Sequence, residues 1–192
     1  MDNSEDLVSA FQTVKATFDA LQIRYFIGGS VASSFHGAMR STMDIDIVAE
    51  LTLEHVRPVL AAVAAEFYAS EPAMRDAIQR RASFNLIHLP TSFKVDIFVS
   101  RGRGFDESSF GRSTISRLGT AESGIDVPIA SVEDILLAKL EWYRAGDEAS
   151  ERQWNDVSRL VKLNRENLDW DYLESMAQEL KVMDLLEKLR NH

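Results

Sequence analysis

The stretch Tyr25–Val48 reads YFIGGSVASSFHGAMRSTMDIDIV and sets two glycines and a serine ahead of two aspartates that are one residue apart. The apolar residues before the glycines predict a short buried strand, and SVASSFHGA predicts a short helix closed by Gly37. The run MDIDIVAE predicts a second strand. This order of strand, glycine turn, helix and strand indicates a mixed α/β body, and it places two carboxylates inside an otherwise apolar strand.

The two aspartates of the second strand are predicted to share one face. Side chains at positions i and i+2 of a strand point the same way, so Asp44 and Asp46 project together while Ile45 and Ile47 enter the core. Two carboxylates this close repel each other unless a cation lies between them. Mg²⁺ prefers oxygen ligands and commonly takes one or two protein carboxylates together with substrate phosphates. The pattern therefore indicates a Mg²⁺ site, and the alternative is a strand end whose acids face water.

The glycine turn is predicted to bind an anion. Gly28 and Gly29 end one strand and Ser30 begins a helix, so unpaired backbone N–H groups point outward at the positive end of the helix dipole. Glycine also lets an anion approach the backbone closely. The GxxxxGK[ST] pattern of a Walker loop is absent. The segment indicates a phosphate site of another kind, with an ordinary turn as the alternative.

A third acid lies in the later apolar run FKVDIFVS. Asp96 is flanked by Val95 and Ile97, which face the opposite side of a strand. If this strand runs beside the strand of Asp44, Asp96 completes a three-carboxylate cluster. Such a cluster is able to hold two metal ions about 3.5–4 Å apart, the arrangement used for in-line displacement at phosphorus. The alternative is an edge strand whose single acid faces solvent.

The remaining periodicities predict an α+β protein. Further helices are expected at residues 5–21, 52–68 and 71–81, a β-hairpin at 83–100, a polar glycine-rich loop at 101–111, and two more strands at 113–118 and 125–130. From Ser131 onward the pattern is helical only. We therefore expect an α/β core over residues 1–130 and a helical part over residues 131–192 that packs on it.

Composition limits the classes of function. The chain has 192 residues and a net charge of −9, which disfavours a protein that grips long stretches of duplex and favours a cationic acceptor. It has no cysteine, so disulfides and thiolate metal sites are excluded, and a cytoplasmic location is expected. Its apolar runs are too short to span a membrane, so no membrane association is expected.

These motifs, in this order, resemble the nucleotidyltransferase superfamily that shares the catalytic fold of DNA polymerase β. The RxTxDID form, made of Arg40, Thr42, Asp44 and Asp46, is most similar to small bacterial AbiEii-like abortive-infection toxins and minimal nucleotidyltransferases. Lincosamide and aminoglycoside nucleotidyltransferases share the same core. The resemblance implies a nucleotidyltransferase fold, with a mixed twisted sheet flanked by helices.

The C-terminal helices extend this resemblance. Lys139, Arg144 and Asp156 resemble a K…R…D pattern on the helices of toxin-type members. The resemblance implies that Lys139 reaches the nucleotide phosphates or the acceptor. Trp142, Tyr143 and Trp154 recur at helical spacing, and they are interpreted as core residues rather than a base-stacking platform.

The resemblance also assigns roles to the motif residues. Gly28, Gly29 and Ser30 would hold the triphosphate of a nucleoside triphosphate, and Arg40 and Thr42 would belong to the same nucleotide site. The first two aspartates would bind two Mg²⁺ ions. The third, Asp96, would bind one of these ions and help to deprotonate the attacking hydroxyl.

The acceptor stays open at this point. The reaction implied is transfer of a nucleoside monophosphate to a hydroxyl of an RNA end, a protein or a small molecule such as an antibiotic. The chain would then be an enzyme, and toxin-type relatives suggest a cognate antitoxin as a partner. The alternative is a non-catalytic nucleotide-binding partner or antitoxin module, which the intact set of acids disfavours. No role is assigned to Glu50, Arg101 or Arg103, although the two arginines are candidates for triphosphate or RNA contacts.

Overall fold

The computed structural model describes residues 3–38 and 44–191. Arg40 and Thr42 lie outside these ranges. The elements are α1 (Asn3–Ala20), β1 (Tyr25–Ile27), α2 (Gly29–Phe35), β2 (Asp44–Ala49), a 3-10 helix (Leu53–His55), α3 (Val56–Val63), β3 (Phe67–Ala69), α4 (Glu71–Arg80), β4 (Ser83–His88), β5 (Lys94–Val99), α5 (Gly104–Arg112), β6 (Thr114–Leu118), β7 (Ile125–Ile129), α6 (Val132–Ala145), α7 (Glu151–Asn164), α8 (Trp170–Leu180) and α9 (Met183–Arg190).

The strands form one mixed sheet with the order β3-β4-β5-β2-β1-β7-β6. The pairs β2–β5 and β1–β7 are parallel, and the other neighbouring pairs are antiparallel. Helices α1, α3 and α4 pack on one another and contact strands β3, β4 and β5, while α2 packs on β2 and against α6. The predicted α+β class, with a mixed sheet flanked by helices, is confirmed.

The two central strands alternate strictly between the core and the face that carries the acids. Ile45 and Ile47 of β2, and Val95 and Ile97 of β5, are fully buried, whereas the residues between them are half-buried. Because the side-chain period of a strand is two, a slip of one residue would move every acid into the core. Burial of the apolar set therefore fixes the register of both strands.

Two local predictions differ from the structure. The predicted loop over residues 101–111 contains helix α5, because the Asp106 carboxylate accepts a hydrogen bond from the Arg103 backbone N–H (3.0 Å) and caps the first turn. The helix predicted over residues 52–68 ends at Val63. Its last residues form β3, because Phe67 and its neighbours pair with β4. In both cases a contact that periodicity does not encode decides the local structure.

Helices α6–α9 are joined to the preceding part of the chain by a buried ionic network. Arg112 at the end of α5 binds the buried Glu133 (2.9 Å) and lies over the ring of Tyr172 (3.9 Å). The Tyr172 hydroxyl donates to the buried Asp134 (2.6 Å). Buried apolar side chains from both parts form one cluster. The division into residues 1–130 and 131–192 stays a prediction.

Arg112→Leu is expected to destabilise the protein by about 2–3 kcal/mol, because it leaves Glu133 buried without its charge partner. Urea unfolding followed by circular dichroism measures the change. Arg75→Leu is the control, since Arg75 forms an exposed pair with Glu71 on α4. That substitution should change the free energy of unfolding by less than about 0.5 kcal/mol. Equal effects of the two substitutions would show that the buried network does not stabilise the fold.

Within the described ranges, no helix combines the length and apolar character needed to cross a bilayer.

Candidate active site

The three predicted acids lie on two adjacent strands. Strands β2 and β5 are parallel neighbours, and their register places Asp46 directly opposite Asp96 and Asp44 opposite Lys94. All four side chains alternate with buried residues and so share one face of the sheet. The condition on which the three-carboxylate prediction depended, adjacency of the two strands, is therefore met.

The carboxylates are nevertheless held by different partners. Asp46 accepts a hydrogen bond from the backbone of Ser30. Asp96 binds the Lys94 ammonium at 2.8 Å, and the same ammonium lies 3.9 Å from an Asp44 oxygen. Among the described residues, no three His, Cys, Asp or Glu side chains converge so as to hold one metal ion. The acids are neighbours in the sheet: Asp44 and Asp96 lie near the same Lys94 ammonium, and Asp46 is bonded to the backbone of Ser30.

The electrostatic environment of Asp46 disfavours its ionised form. Burial raises the pKa of Asp46, and the nearby charges of Asp96 and Asp44 raise it further. The Ser30 backbone hydrogen bond and the Lys139 ammonium oppose this rise in pKa. An added cation at this carboxylate would act in the same direction as Lys139, because it stabilises the charged form.

The glycine turn lies directly against the second aspartate. The Gly28 backbone N–H donates to the Asp46 carbonyl (2.8 Å) and ties the end of β1 to β2. Gly29 has a φ of +56°, and a Cβ atom on it would lie 1.7 Å from Asp46 Oδ2. Only glycine satisfies both the backbone conformation and the close approach. The turn therefore brings the backbone of Gly29 and Ser30 to the carboxylate.

Helix α6 brings Lys139 to the same place. The Lys139 ammonium lies 3.9 Å from Asp156 Oδ2 on α7. Lys139 also lines the cavity, together with Ser30 and Asp46. Arg144 is separate from these residues, because it binds Glu148 and Asp184 at the surface. Of the three residues of the K…R…D pattern, the structure therefore places Lys139 and Asp156 in one small pocket with Ser30, and Arg144 lies away from them.

A cavity of about 660 Å³ lies between the sheet and helices α5 and α6. Its size falls in the range of ligand pockets in proteins. Its polar lining includes the glycine turn, Asp46 and Lys139. Its apolar part is formed by Phe26, Val48, Phe98, Phe105, Ile135, Ala138 and Trp142. The cavity thus joins anion-binding and apolar surfaces, as a nucleotide requires.

The prediction that Trp142 is a core residue is wrong. Its side chain is 50% exposed, lines the cavity and packs edge-on against Phe98 with ring centroids 5.6 Å apart. The neighbouring Tyr143 is buried as expected, and Trp154 is half-buried. The sequence did contain a signal: Trp142 lies three residues after Lys139, so the two side chains share one helix face.

Arg101, Arg103 and Glu50, to which the sequence assigns no role, each form an ion pair. Arg101 and Arg103 line the cavity, and both bind Glu141 (3.0 and 2.5 Å). Arg103 also binds Asp106 (3.0 Å) and so holds the start of α5. Glu50 forms an ion pair with Arg24 (2.5 Å). Glu50 does not line the cavity.

The sheet and its helices match those of solved nucleotidyltransferases. The solution structure of the antibiotic-resistance factor ANT(2'')-Ia has a TM-score of 0.57 and 16% sequence identity, covering 97% of this chain and 98% of that chain. A crystal structure of ANT(2'')-Ia with adenylyl-2''-tobramycin has a TM-score of 0.56 and 15% identity, covering 91% and 97%. An antigenic nucleotidyltransferase-like protein from Paracoccidioides brasiliensis has a TM-score of 0.53 and 18% identity, covering 98% and 93%. These similarities show the nucleotidyltransferase fold.

The family follows from the sequence itself. A family model described as "Nucleotidyl transferase AbiEii toxin, Type IV TA system" matches residues 14–187. The chain belongs to the AbiEii nucleotidyltransferase family, and it is an enzyme of the transferase class. A search among curated protein sequences gives no significant match. The predicted resemblance is therefore confirmed at the level of family, fold and enzyme class.

Proposed function

We propose that this protein uses Mg²⁺ to transfer a nucleoside monophosphate from a nucleoside triphosphate to an acceptor hydroxyl. One observation carries the proposal: Asp46 and Asp96 are direct neighbours on parallel strands, and the backbone of Gly29 and Ser30 meets Asp46. Carboxylates beside backbone N–H groups are the arrangement that phosphoryl chemistry needs, because metal ions and fixed donors then surround the transferring phosphate.

The donor set fits Mg²⁺. Asp44, Asp46 and Asp96 offer only carboxylate oxygens, the ligands that Mg²⁺ prefers. Lys94 already places a cation between two of them, so this edge of the site accommodates positive charge. When bound, the metal would neutralise charge on the phosphates and polarise the reacting phosphorus. These three residues are the ones proposed to hold it.

The chain's own groups would bind and orient the nucleotide. The N–H groups of Gly29 and Ser30 would donate to the triphosphate, and Lys139 would add a charge-assisted contact from the opposite wall. The Gly28 N–H is already bonded to the Asp46 carbonyl (2.8 Å), so Gly28 would shape the turn rather than donate to the phosphates. The apolar part of the cavity, with Phe98 and Trp142, would receive the nucleobase. Fixed donors of this kind stabilise developing charge without reorganising, which is commonly the largest contribution to catalysis.

The transfer step is a displacement at the α-phosphorus. The acceptor oxygen forms a bond to the α-phosphorus, and the bond to the bridging oxygen of pyrophosphate breaks. Asp96 is proposed to accept the proton that leaves the acceptor hydroxyl, because it lies on the outer side of Asp46, toward the part of the sheet that faces solvent.

The open half of the sheet is the proposed approach for the acceptor. Asn85 is exposed and lies opposite Asp96 in the neighbouring strand, and Ile87 lies opposite Lys94. Tyr68 on the edge strand is 60% exposed and continues the same row. A solvent-exposed sheet surface suits an extended acceptor better than a small antibiotic, which needs an enclosing pocket.

An RNA end is the acceptor that we propose. The exposed ring of Tyr68 offers a stacking surface for an unpaired base, and Arg80 and Arg81 at the end of α4 add positive charge to the cavity lining. The net charge of −9 restricts such contacts to a short segment. The family's description as a toxin of a Type IV toxin–antitoxin system supports a toxic activity with a cognate antitoxin.

The proposal is tested by transfer of label. The protein is incubated with each α-³²P-labelled nucleoside triphosphate and Mg²⁺, in separate reactions with total RNA, lysate protein, or aminoglycoside and lincosamide antibiotics. Label is expected on RNA ends. Label on an antibiotic or a protein would contradict the proposed acceptor, and absence of label in every reaction would contradict the enzyme.

Lys139→Met is expected to weaken binding of a non-hydrolysable nucleoside triphosphate by about tenfold, because a charge-assisted phosphate contact is lost from a largely buried position. Isothermal titration calorimetry measures this dissociation constant. Lys162→Met on α7 is the control, since that lysine is exposed and outside the cavity, and it should leave the affinity unchanged. An unchanged affinity of Lys139→Met would remove Lys139 from the nucleotide site.

A further inference from the structure

Lys94 occupies an unusual position between the acids of the candidate site. It lies two residues before Asp96 on β5 and directly opposite Asp44 on β2. Its ammonium is 2.8 Å from Asp96 Oδ2 and 3.9 Å from Asp44 Oδ1. A lysine side chain is charged at neutral pH, so a cation tethered to the chain stands where two proposed metal ligands meet.

This contact has a geometric consequence. The Asp96 carboxylate is directed to Lys94, while Asp46 is directed to the backbone of Ser30. The described side chains accordingly form no three-carboxylate metal site, although Asp46 and Asp96 are paired in the sheet. A divalent ion shared by both carboxylates would meet the positive charge of this ammonium, so the ion and the ammonium compete for Asp96.

We propose that Lys94 is a built-in competitor of the divalent metal ion. This inference rests on the proposed function, because it concerns the same three carboxylates. In the structure the ammonium lies near both Asp44 and Asp96 and offsets their repulsion. When a divalent ion binds, the ammonium withdraws from Asp96. Its side chain is 40% exposed and sits on a flexible four-carbon stem, so solvent is available to receive it.

Competition of this kind couples binding of the metal ion to binding of the nucleotide. A tethered positive charge lowers the affinity of the three carboxylates for any free cation. A bound triphosphate adds negative charge, which favours the divalent ion and offers the displaced ammonium a new partner. The metal is then expected to bind weakly to the protein alone and more tightly to its nucleotide complex. Lys94 thus determines when the metal site forms.

The test is a titration with Mn²⁺ in the absence of nucleotide, followed by electron paramagnetic resonance of the free ion. Lys94→Met is expected to bind Mn²⁺ about tenfold more tightly than the unaltered protein. A charge within about 4 Å supports an effect of this size after allowance for solvent screening. Lys94→Gln serves as a second neutral variant and should behave in the same way. Lys94→Arg keeps the charge and should keep the weak affinity.

The same titration is repeated with a non-hydrolysable triphosphate present. The ratio between the Mn²⁺ dissociation constants of the unaltered protein and of Lys94→Met should fall by at least about threefold, because the triphosphate already draws the ammonium away. Lys162→Met is the matched control for loss of one positive charge, and it should leave Mn²⁺ affinity unchanged in both titrations.

Several results would overturn the inference. Equal Mn²⁺ affinity of the unaltered protein and of both neutral variants would show that Lys94 does not compete. Loss of triphosphate affinity in Lys94→Met with Mn²⁺ affinity unchanged would make Lys94 a phosphate ligand instead. If the unaltered protein transfers label but the two neutral variants do not bind Mn²⁺ more tightly, only this inference fails. If no variant binds Mn²⁺ and no transfer occurs, the proposed function fails with it.

Discussion

Asp46→Asn is expected to lower kcat/KM for nucleotidyl transfer by at least about 10³-fold while leaving the fold intact. The amide keeps the shape of the side chain but removes the charge that would bind metal beside the glycine turn. Stability should be unchanged or higher, because burial and the neighbouring acids raise the pKa of Asp46 and so disfavour its charged form in the folded protein. Loss of activity without loss of stability distinguishes a functional acid from a structural one.

The measurements are transfer of labelled nucleotide and thermal unfolding of the same preparations. Asp126→Asn is the matched control, since Asp126 also lies on a strand but is exposed and paired with Arg117. It should leave both transfer and thermal stability nearly unchanged. Transfer at the normal rate by Asp46→Asn would contradict the role proposed for this carboxylate and, with it, the metal site.

Gly29→Ala is expected to reduce kcat/KM by about 100-fold and to destabilise the protein by about 1–3 kcal/mol. Two causes act together. The φ of +56° is strained for alanine, and the added Cβ would lie 1.7 Å from Asp46 Oδ2. The carboxylate has to move, and a displacement of about 1 Å at a reacting centre costs about this much activity. Steady-state kinetics and urea unfolding measure the two effects.

Gly102→Ala separates the effect of backbone strain from the effect of the steric clash between an added Cβ and Asp46. Gly102 has a φ of +69°, but nothing lies within 4 Å of the position of an added Cβ. This variant should lose a similar amount of stability and keep its kcat/KM within about threefold. If Gly102→Ala lost as much activity as Gly29→Ala, the collision with Asp46 would not explain the effect.

Local features of this protein could be predicted from the sequence alone. Alternation of apolar and acidic residues in DIDIV and KVDIF fixes which side chains of β2 and β5 face the core, because the period of a strand is two. Serine caps predict the starts of α6 and α7, where Ser131 and Ser150 each accept a backbone hydrogen bond. The family resemblance likewise depends on short motifs, which are local by nature. Structural features that depend only on a few neighbouring residues can be predicted without a structure.

Pairings between distant segments needed the tertiary structure. No local sequence pattern predicts that β5 lies beside β2, and it is this adjacency that places Asp96 opposite Asp46. The same holds for α6, whose packing against α2 carries Lys139 and Trp142 to the cavity. In the sequence Lys94 is one polar residue of a predicted strand, and only the parallel register makes it the partner of two acids.

The physical reason for this division is the range of the forces involved. The sequence by itself determined the three acids and most of the elements with their buried faces, because strand and helix periodicity and capping act between near neighbours in the chain. Helix α5, strand β3 and the exposure of Trp142 were the exceptions. Tertiary structure decided which acids meet, which cation lies between them and which aromatic side chain faces the cavity, because these depend on burial of apolar faces contributed by remote segments.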